Sequence, residues 1–420
     1  MRKILILTYF LIIVFTLNSK AQDFWELVNI PDSIELKDFT IDTNGIVFFG
    51  SNLGVYKSED NGEIWEYCNF NKITTDLVIA PDNSVYIIGI NTPNAALYRS
   101  TDIGITWEMV NPGHLPVVGL FTTSSYLMFY TTGGGIFKSA DSGYTWTQVL
   151  STVNTEVFND IIEKDSFLFA GSTHFMSSAG GGVYRSSDIG DTWEHVAFSG
   201  SGIYSFAIDQ SNNLLAGIGF VYSGWSFGVW RSIDNGINWN RLLYKIIMSL
   251  EVDDFGGIYA GCGIYTKKLD YHPVYYSADN GQTWDSLDSG MHADSEVNSI
   301  KISPSDYVYA VTSSPNHLYR SVYPIVSMSE KSREKLDIKV FPNPFNEELF
   351  VQINNIENGE NDIYIQFYNV SGIKITEGKI YNSIAASNQI KIDTDFIKPG
   401  MYLMKIIIGQ ENYSIKIFKK

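Results

Sequence analysis

Cysteine is nearly absent: Cys68 and Cys262 are the only two in 420 residues, so no disulfide framework can hold the fold and a hydrophobic core must do it. Basic residues are few. Lys and Arg number 29 against 46 Asp and Glu, and no basic stripe remains to neutralise phosphates, which argues against nucleic acid as a partner. Histidine, at 6 residues, shows no metal-ligand spacing, so neither a metal nor a cofactor is expected. Long helical patterns are missing as well. In their place stand 26 Tyr, 25 Phe and 35 Gly, the composition of an all-β protein.

One long apolar run exists, at the start. Arg2 and Lys3 precede the apolar stretch Ile4 to Leu17, and Ser19-Lys20-Ala21 offers a small-x-small cleavage site. This reads as a secretory signal over residues 1–21, too short in its apolar part for the ~20 residues of a membrane span. Loss of Arg2, Lys3 and Lys20 takes the formal charge from −17 to −20. No Cys follows the cut to carry a lipid anchor.

The rest of the chain repeats itself. YRSTDIGITW at Tyr98–Trp107 returns as YRSSDIGDTW at Tyr184–Trp193. An aromatic residue, usually Lys or Arg, and then Ser recur with Ser at 58, 100, 139, 186, 232, 277 and 321. The first six Ser are each followed by Asp, Gly and Trp: Asp60, Asp102, Asp141, Asp188, Asp234 and Asp279 lead to Trp65, Trp107, Trp146, Trp193, Trp239 and Trp284. The seventh copy stops at Pro324, and its missing half stands at the front, where FWELVN at Phe24–Asn29 matches TWEMVN at Thr106–Asn111. Six whole units and two complementary halves make seven. A closed ring explains the split, because pairing the first strand with the last removes both free edges. Four short strands fit each unit; in the second they are Asp76–Ala80, Ser84–Ile90, Ala95–Ser100 and Thr106–Val110. The expectation is a seven-bladed β-propeller over residues 22–325.

Within the phrase, Asp is placed to accept backbone N–H groups in the turn between strands three and four, and Gly to take positive φ. Trp covers the hairpin and fills space between blades. Three residues after each Trp an apolar side chain follows, and Cys68 is one of these. The phrases resemble the Asp-box repeats of sialidases, sortilin-type receptors and the photosystem II assembly factor family. The resemblance implies that Asp60, Asp102, Asp141, Asp188, Asp234 and Asp279 are fold residues lying away from any ligand face.

Sialidase activity is disfavoured. No Arg-Ile-Pro phrase is present, and four of the five propeller arginines (Arg99, Arg185, Arg231, Arg320) share one slot before the repeat Ser. A slot repeated around a ring cannot converge on one substrate carboxylate. No spacing singles out a pair of carboxylates for a glycosidase. The loops between strands two and three are short in units one and three but long in the neighbouring units four, five and six, where they begin at Gly171, Gly217 and Gly261. These carry His174, Phe175, Tyr222, Trp225, Phe227, Tyr265, Tyr271 and His272, the candidate ligand-binding residues. Mutual packing of these aromatics is the competing explanation.

Residues 326–335, VSMSEKSREK, read as a polar linker. Residues 336–420 then alternate as short strands and fit a small immunoglobulin-like β-sandwich. VFPNPFNEELFVQI with Pro342, Asn343 and Pro344, then FYNVSGIKI, KPGMYLMKI and a terminal IFKK with Lys419 and Lys420, resemble the type IX secretion C-terminal sorting domain. That resemblance implies export through the periplasm of a Bacteroidetes-like cell, with the secretion machinery and a surface sortase as partners. The leading expectation is an exported, non-enzymatic propeller binding glycan or protein. A glycan-active hydrolase and an assembly or scaffold factor are the alternatives.

Overall fold

The structure, a computed structural model, describes residues 23–31, 33–91, 94–110, 117–131, 135–152, 156–174, 180–221, 226–264, 271–325, 337–342, 345–354, 363–369, 375, 379–381, 389–392, 394, 397–408 and 411–420. The expected signal and linker lie outside them.

Each repeat folds into a four-stranded antiparallel sheet. In blade 1 the strands run Leu36–Ile41, Val47–Ser51, Gly54–Ser58 and Glu66–Tyr67 from the axis outward. Blades 2 to 6 repeat this order. Their innermost strands are Ile73–Ile79, Val117–Thr122, Val157–Lys164, Ser201–Ile208 and Ile247–Val252. Blade 7 is built from both ends of the propeller segment, in the order Trp25–Leu27, Asn316–Ser321, Val308–Ser313, Val297–Ile302. Trp25 pairs with Ser321, Glu26 with Arg320 and Leu27 with Tyr319. Seven blades therefore close into a ring, and the split repeat is the closure.

The second strand of each blade is buried on both faces, because each blade is stacked between two others; Val47–Ser51 and Ile258–Cys262 have no exposed residue. Close stacking needs glycine there. A Cβ on Gly50 would lie 2.7 Å from Thr74 Cγ2, and one on Gly261 2.7 Å from Val297 Cγ1, each the neighbouring inner strand. The outer strands are short and exposed. In blade 2 the fourth is only Glu108–Met109, shorter than the sequence suggested, because Trp107 still belongs to the turn that precedes it. Cys68 and Cys262 are free and buried in separate core clusters.

The C-terminal segment forms two sheets around one core. One orders Asp337–Phe341, Leu349–Asn354 and Gln389–Ile392; the other orders Lys379–Tyr381, Ile363–Asn369, Gly400–Ile408 and Glu411–Lys419. Phe345, Val351, Ile365, Phe367, Met404 and Ile417 fill the space between them.

Candidate functional site

Every S-x-D-x-G turn has one geometry. In blade 4, Ser186 Oγ donates to Asp188 Oδ1 at 2.7 Å and accepts the Gly190 N–H at 2.8 Å, while Asp188 Oδ1 accepts the Thr192 N–H at 2.8 Å. The Thr192 hydroxyl adds a bond to Asp188 Oδ2 at 2.6 Å and holds that carboxylate down to about 2. The backbone bond recurs at Asp60, Asp102, Asp141, Asp234 and Asp279, and the side-chain bond from Thr106, Thr145, Asn238 and Thr283, while Asp60 faces Ile64, which has none to give. The residue before each Gly is also left-handed: Asn61, Ile103, Ser142, Ile189, Asn235 and Asn280 have φ between 55° and 61°. The sequence signal for that position was Asn in three of six copies.

The cation before the repeat Ser has a task as well in four blades. Lys138, Arg185, Arg231 and Arg320 each donate to a backbone carbonyl in the turn of the next blade: Ile189, Asn235, Asn280 and Asn61 respectively. In these four blades the slot is an inter-blade clamp, whereas Lys57 and Arg99 pair with Glu59 and Asp82 of their own blades and Tyr276 stands in the slot of blade 6. Arg320 also pairs with Glu26 and Glu63, tying the closing strand to blade 1.

The inner strands surround a central channel of about 600 Å³. Each of the six complete blades and blade 7 carries a bulge near the start of its inner strand, and the residue after it faces the axis. Around the ring these residues are Asp38, Asp76, Gly119, Asp160, Ser205, Ser249 and Ser299. Their side chains act as latches. Asp38 Oδ2 accepts the Leu77 N–H at 3.1 Å, Asp76 Oδ2 the Leu120 N–H at 2.6 Å, and Asp160 Oδ2 the Phe206 N–H at 2.6 Å. Ser205 and Ser249 serve Leu250 and Ile300 in the same way.

Burial and the adjacent Asp38 carboxyl push Asp76 well above the usual carboxylate range. Burial also pushes Asp160 up to about 6, against the pull of the Phe206 N–H and the Lys301 ammonium. It pushes Glu251, one turn of the pleat further along the channel, up to about 7. Sequence reading missed all of these. The recoverable signal was Asp before an apolar residue near the start of an inner strand, in KDF, TDL and NDI.

Of the eight candidate loop residues, Phe175, Tyr222, Trp225 and Tyr265 lie outside the described residues. The other four lie on the face where strand two-to-three loops and blade connections meet. His174 is buried. Tyr271 donates to the Ser295 carbonyl at 2.6 Å and is half-buried. His272 Nδ1 sits 2.6 Å from Asp288 Oδ2. Phe227 packs on Tyr244 with ring centroids 4.4 Å apart, and the Arg241 guanidinium lies 4.5 Å from the Tyr244 ring and 5.4 Å from that of Trp230. Tyr244, not among the sequence candidates, is 43 % exposed. In the sorting segment Asn343 and Pro344 lie outside the described residues, whereas Pro342 follows the first strand. Lys419 Nζ donates to the Thr394 carbonyl at 2.8 Å, and the Lys420 N–H to the Phe345 carbonyl at 2.9 Å.

Residues 339–420 match the family described as a secretion system C-terminal sorting domain. No match was found among curated proteins. Among solved structures, YCF48 from Cyanidioschyzon merolae is similar at 17% identity and TM-score 0.53, over 71% of this chain and 98% of that one. YCF48 bound to D1 peptide is similar at 17% identity and TM-score 0.54, over 71% and 95%. An ancestral GH74 enzyme is similar at 13% identity and TM-score 0.51, over 94% of this chain and 64% of that one. These similarities establish the propeller fold. The tail marks the chain for the type IX machinery and hence for export to the cell surface or the medium. Among the described residues no helix is long and apolar enough to cross a membrane.

Proposed function

We propose that the chain is an exported, non-catalytic binding propeller that holds a surface glycan or protein on the face of its strand two-to-three loops. The observation that carries this reading is the aromatic–cation platform of blade 5. Arg241 stacks between Trp230 and the exposed Tyr244, and Phe227 extends the apolar surface. Flat rings backed by a fixed guanidinium suit the face of a sugar or a peptide side chain at little entropic cost. The peptide bound to the similar YCF48 structure supports the same use of such a scaffold.

In this reading residues 1–21 are a cleaved signal, 22–325 the propeller, 326–335 a linker and 336–420 the sorting domain. The resemblance to Asp-box proteins supports a structural role for the six turn aspartates, as do their bonds to their own turns. Glycan and peptide arrays probed with the secreted chain test the proposal. Binding that falls at least about tenfold in Tyr244→Ala, a loss of about 1.4 kcal/mol, supports it. Binding unchanged in both Tyr244→Ala and Trp225→Ala removes it, and silence on both arrays favours a scaffold role.

A second reading, glycan hydrolysis, draws on Asp160 and Glu251, whose protonation near neutrality is what a general acid needs. Against it, Asp160 is already engaged by the Phe206 N–H. Turnover of a labelled oligosaccharide panel, abolished by Glu251→Gln, would establish it.

A further inference from the structure

Three seams between blades carry an aromatic residue at the same position and use it differently. Phe70, Phe198 and Tyr244 each stand five residues after a repeat Trp, at Trp65, Trp193 and Trp239. Phe70 is 4 % exposed and closes the seam onto blade 2, its ring centroid 4.8 Å from that of Tyr98 and 5.4 Å from that of Trp107. Phe198 does the same toward blade 5, 5.2 Å from Trp230 and 5.3 Å from Trp239. Tyr244 is instead 43 % exposed, and it is Lys245 that lies over the corresponding ring of blade 6, its Nζ 5.0 Å from the centroid of Tyr275. A ring turned out of its seam gives up burial that the other two keep.

The outward ring belongs to a stack. The Arg241 guanidinium lies 4.5 Å from the Tyr244 ring and 5.4 Å from that of Trp230, and Phe227 packs on Tyr244 at 4.4 Å. The layers are held from behind. Trp230 donates its indole N–H to the Ser226 carbonyl at 2.6 Å. The Arg241 stem runs over Gly228, where a Cβ would meet its Cδ at 3.1 Å and its Cγ at 3.3 Å. A guanidinium between two rings has its faces covered and its donors left along one edge, in one plane. Arg241 is exposed, so a ligand can reach that edge. The fork of N–H groups there matches a carboxylate bidentately. Two cations thus flank Tyr244 on a chain whose formal charge is −17.

We propose that the ligand of this platform is an acidic glycan, with the carboxylate of a uronic acid residue on the Arg241 fork and the sugar ring against Tyr244 and Phe227. The inference rests on the binding reading above and narrows it to one chemical class. A uronate carries its carboxylate directly on a rigid ring with apolar C–H faces, so charge and flat surface arrive together. An acidic peptide side chain must freeze its rotors to present the two at once. A neutral sugar covers the rings but leaves the fork in water. Lys245, the next residue along, adds positive potential that favours a polymer of uronates over a single acid.

The test is calorimetric titration of the secreted chain with tetragalacturonate, the methyl ester of the same oligomer, a sulfated maltotetraose and a tetraglutamate peptide, each to about 10 mM. Saturable binding of the acid is expected, with the other three at least about tenfold weaker. Arg241→Lys keeps the charge and loses the fork, and should weaken the acid at least about tenfold. Tyr244→Ala should weaken it as well. No saturation by the acid, an ester that binds as tightly, or full affinity in Arg241→Lys overturns the proposal. Equal binding of the sulfated sugar or of the peptide also overturns it, by assigning the site to anions at large or to acidic peptides. The platform reading fails separately. Tyr244-dependent binding of a neutral glycan, without binding of the acid, keeps the platform and removes the uronate, whereas binding indifferent to Tyr244 removes both.

Discussion

Raising the pH through neutrality should destabilise this propeller more than its surface charge would suggest. In the folded chain Asp160 rises from an ordinary 3.8 to about 6, and Glu251 from 4.5 to about 7, both by burial. A carboxyl with a higher pKa folded than unfolded binds its proton more tightly in the native state. Its contribution is complete below the unfolded value and disappears as pH rises through the folded one. At about 1.4 kcal/mol per unit, Glu251 withdraws about 2.5 kcal/mol and Asp160 about 1.4 kcal/mol between about pH 5 and about pH 8.5, the rest of the Asp160 contribution being lost below about pH 5. Asp76 acts in the same direction. The turn carboxylates do not interfere, because Asp102 and Asp188 are held down to about 2 and change only in stronger acid. Urea denaturation followed by tryptophan fluorescence at the two pH values measures the difference. Glu251→Gln should be less pH-dependent than the native chain by about 2.5 kcal/mol. Equal slopes in the two proteins would refute the argument that burial holds the Glu251 proton.

Ile189 is a β-branched residue at φ 58° and 49 % exposed, so Ile189→Asn should raise stability by about 1 kcal/mol, read as a higher urea midpoint. Arg320→Ala removes the clamp from the closing strand to blade 1 and should cost about 2 kcal/mol in the same assay, because its guanidinium is mostly buried among charged partners. Gly119→Ala should displace the Tyr130 ring and cost about 1–3 kcal/mol by overpacking, visible as a changed tyrosine signal. Cys68 and Cys262, whose thiols burial pushes up to about 12, should resist a thiol reagent until the chain unfolds.

The ring was legible because its turns demand particular residues. Ser, Asp and Gly at S-x-D-x-G each make bonds or adopt a φ that few other residues permit, so the phrase survives in six blades and counts them. The closure was legible for the same reason: Trp25 repeats the outer-strand phrase and has no turn of its own. The channel was not legible. Its latch positions hold Asp, Gly or Ser, since any short acceptor caps the next blade's N–H and only the bulge fixes the place. Tyr130 could not be assigned there at all, because it reaches the axis from the second strand through the space that Gly119 leaves. Among the loop candidates, Tyr271 and His272 proved tied to neighbours, which is how buried polar aromatics commonly spend their polar atoms. Tyr244 escaped notice because it lies on a blade connection and not on a long loop.

The channel and the loop face both depend on the ring being closed by its first strand. Hydrogen exchange at the Val28 and Val322 amides is the direct measure. The first donates to the Leu318 carbonyl at 2.9 Å and the second to that of Phe24 at 2.8 Å, each across the join. A closed ring predicts that both exchange slowly and lose protection together with the inner strands. Exchange of either amide at the rate of an unfolded chain, while the inner strands stay protected, would contradict the closure and the channel with it.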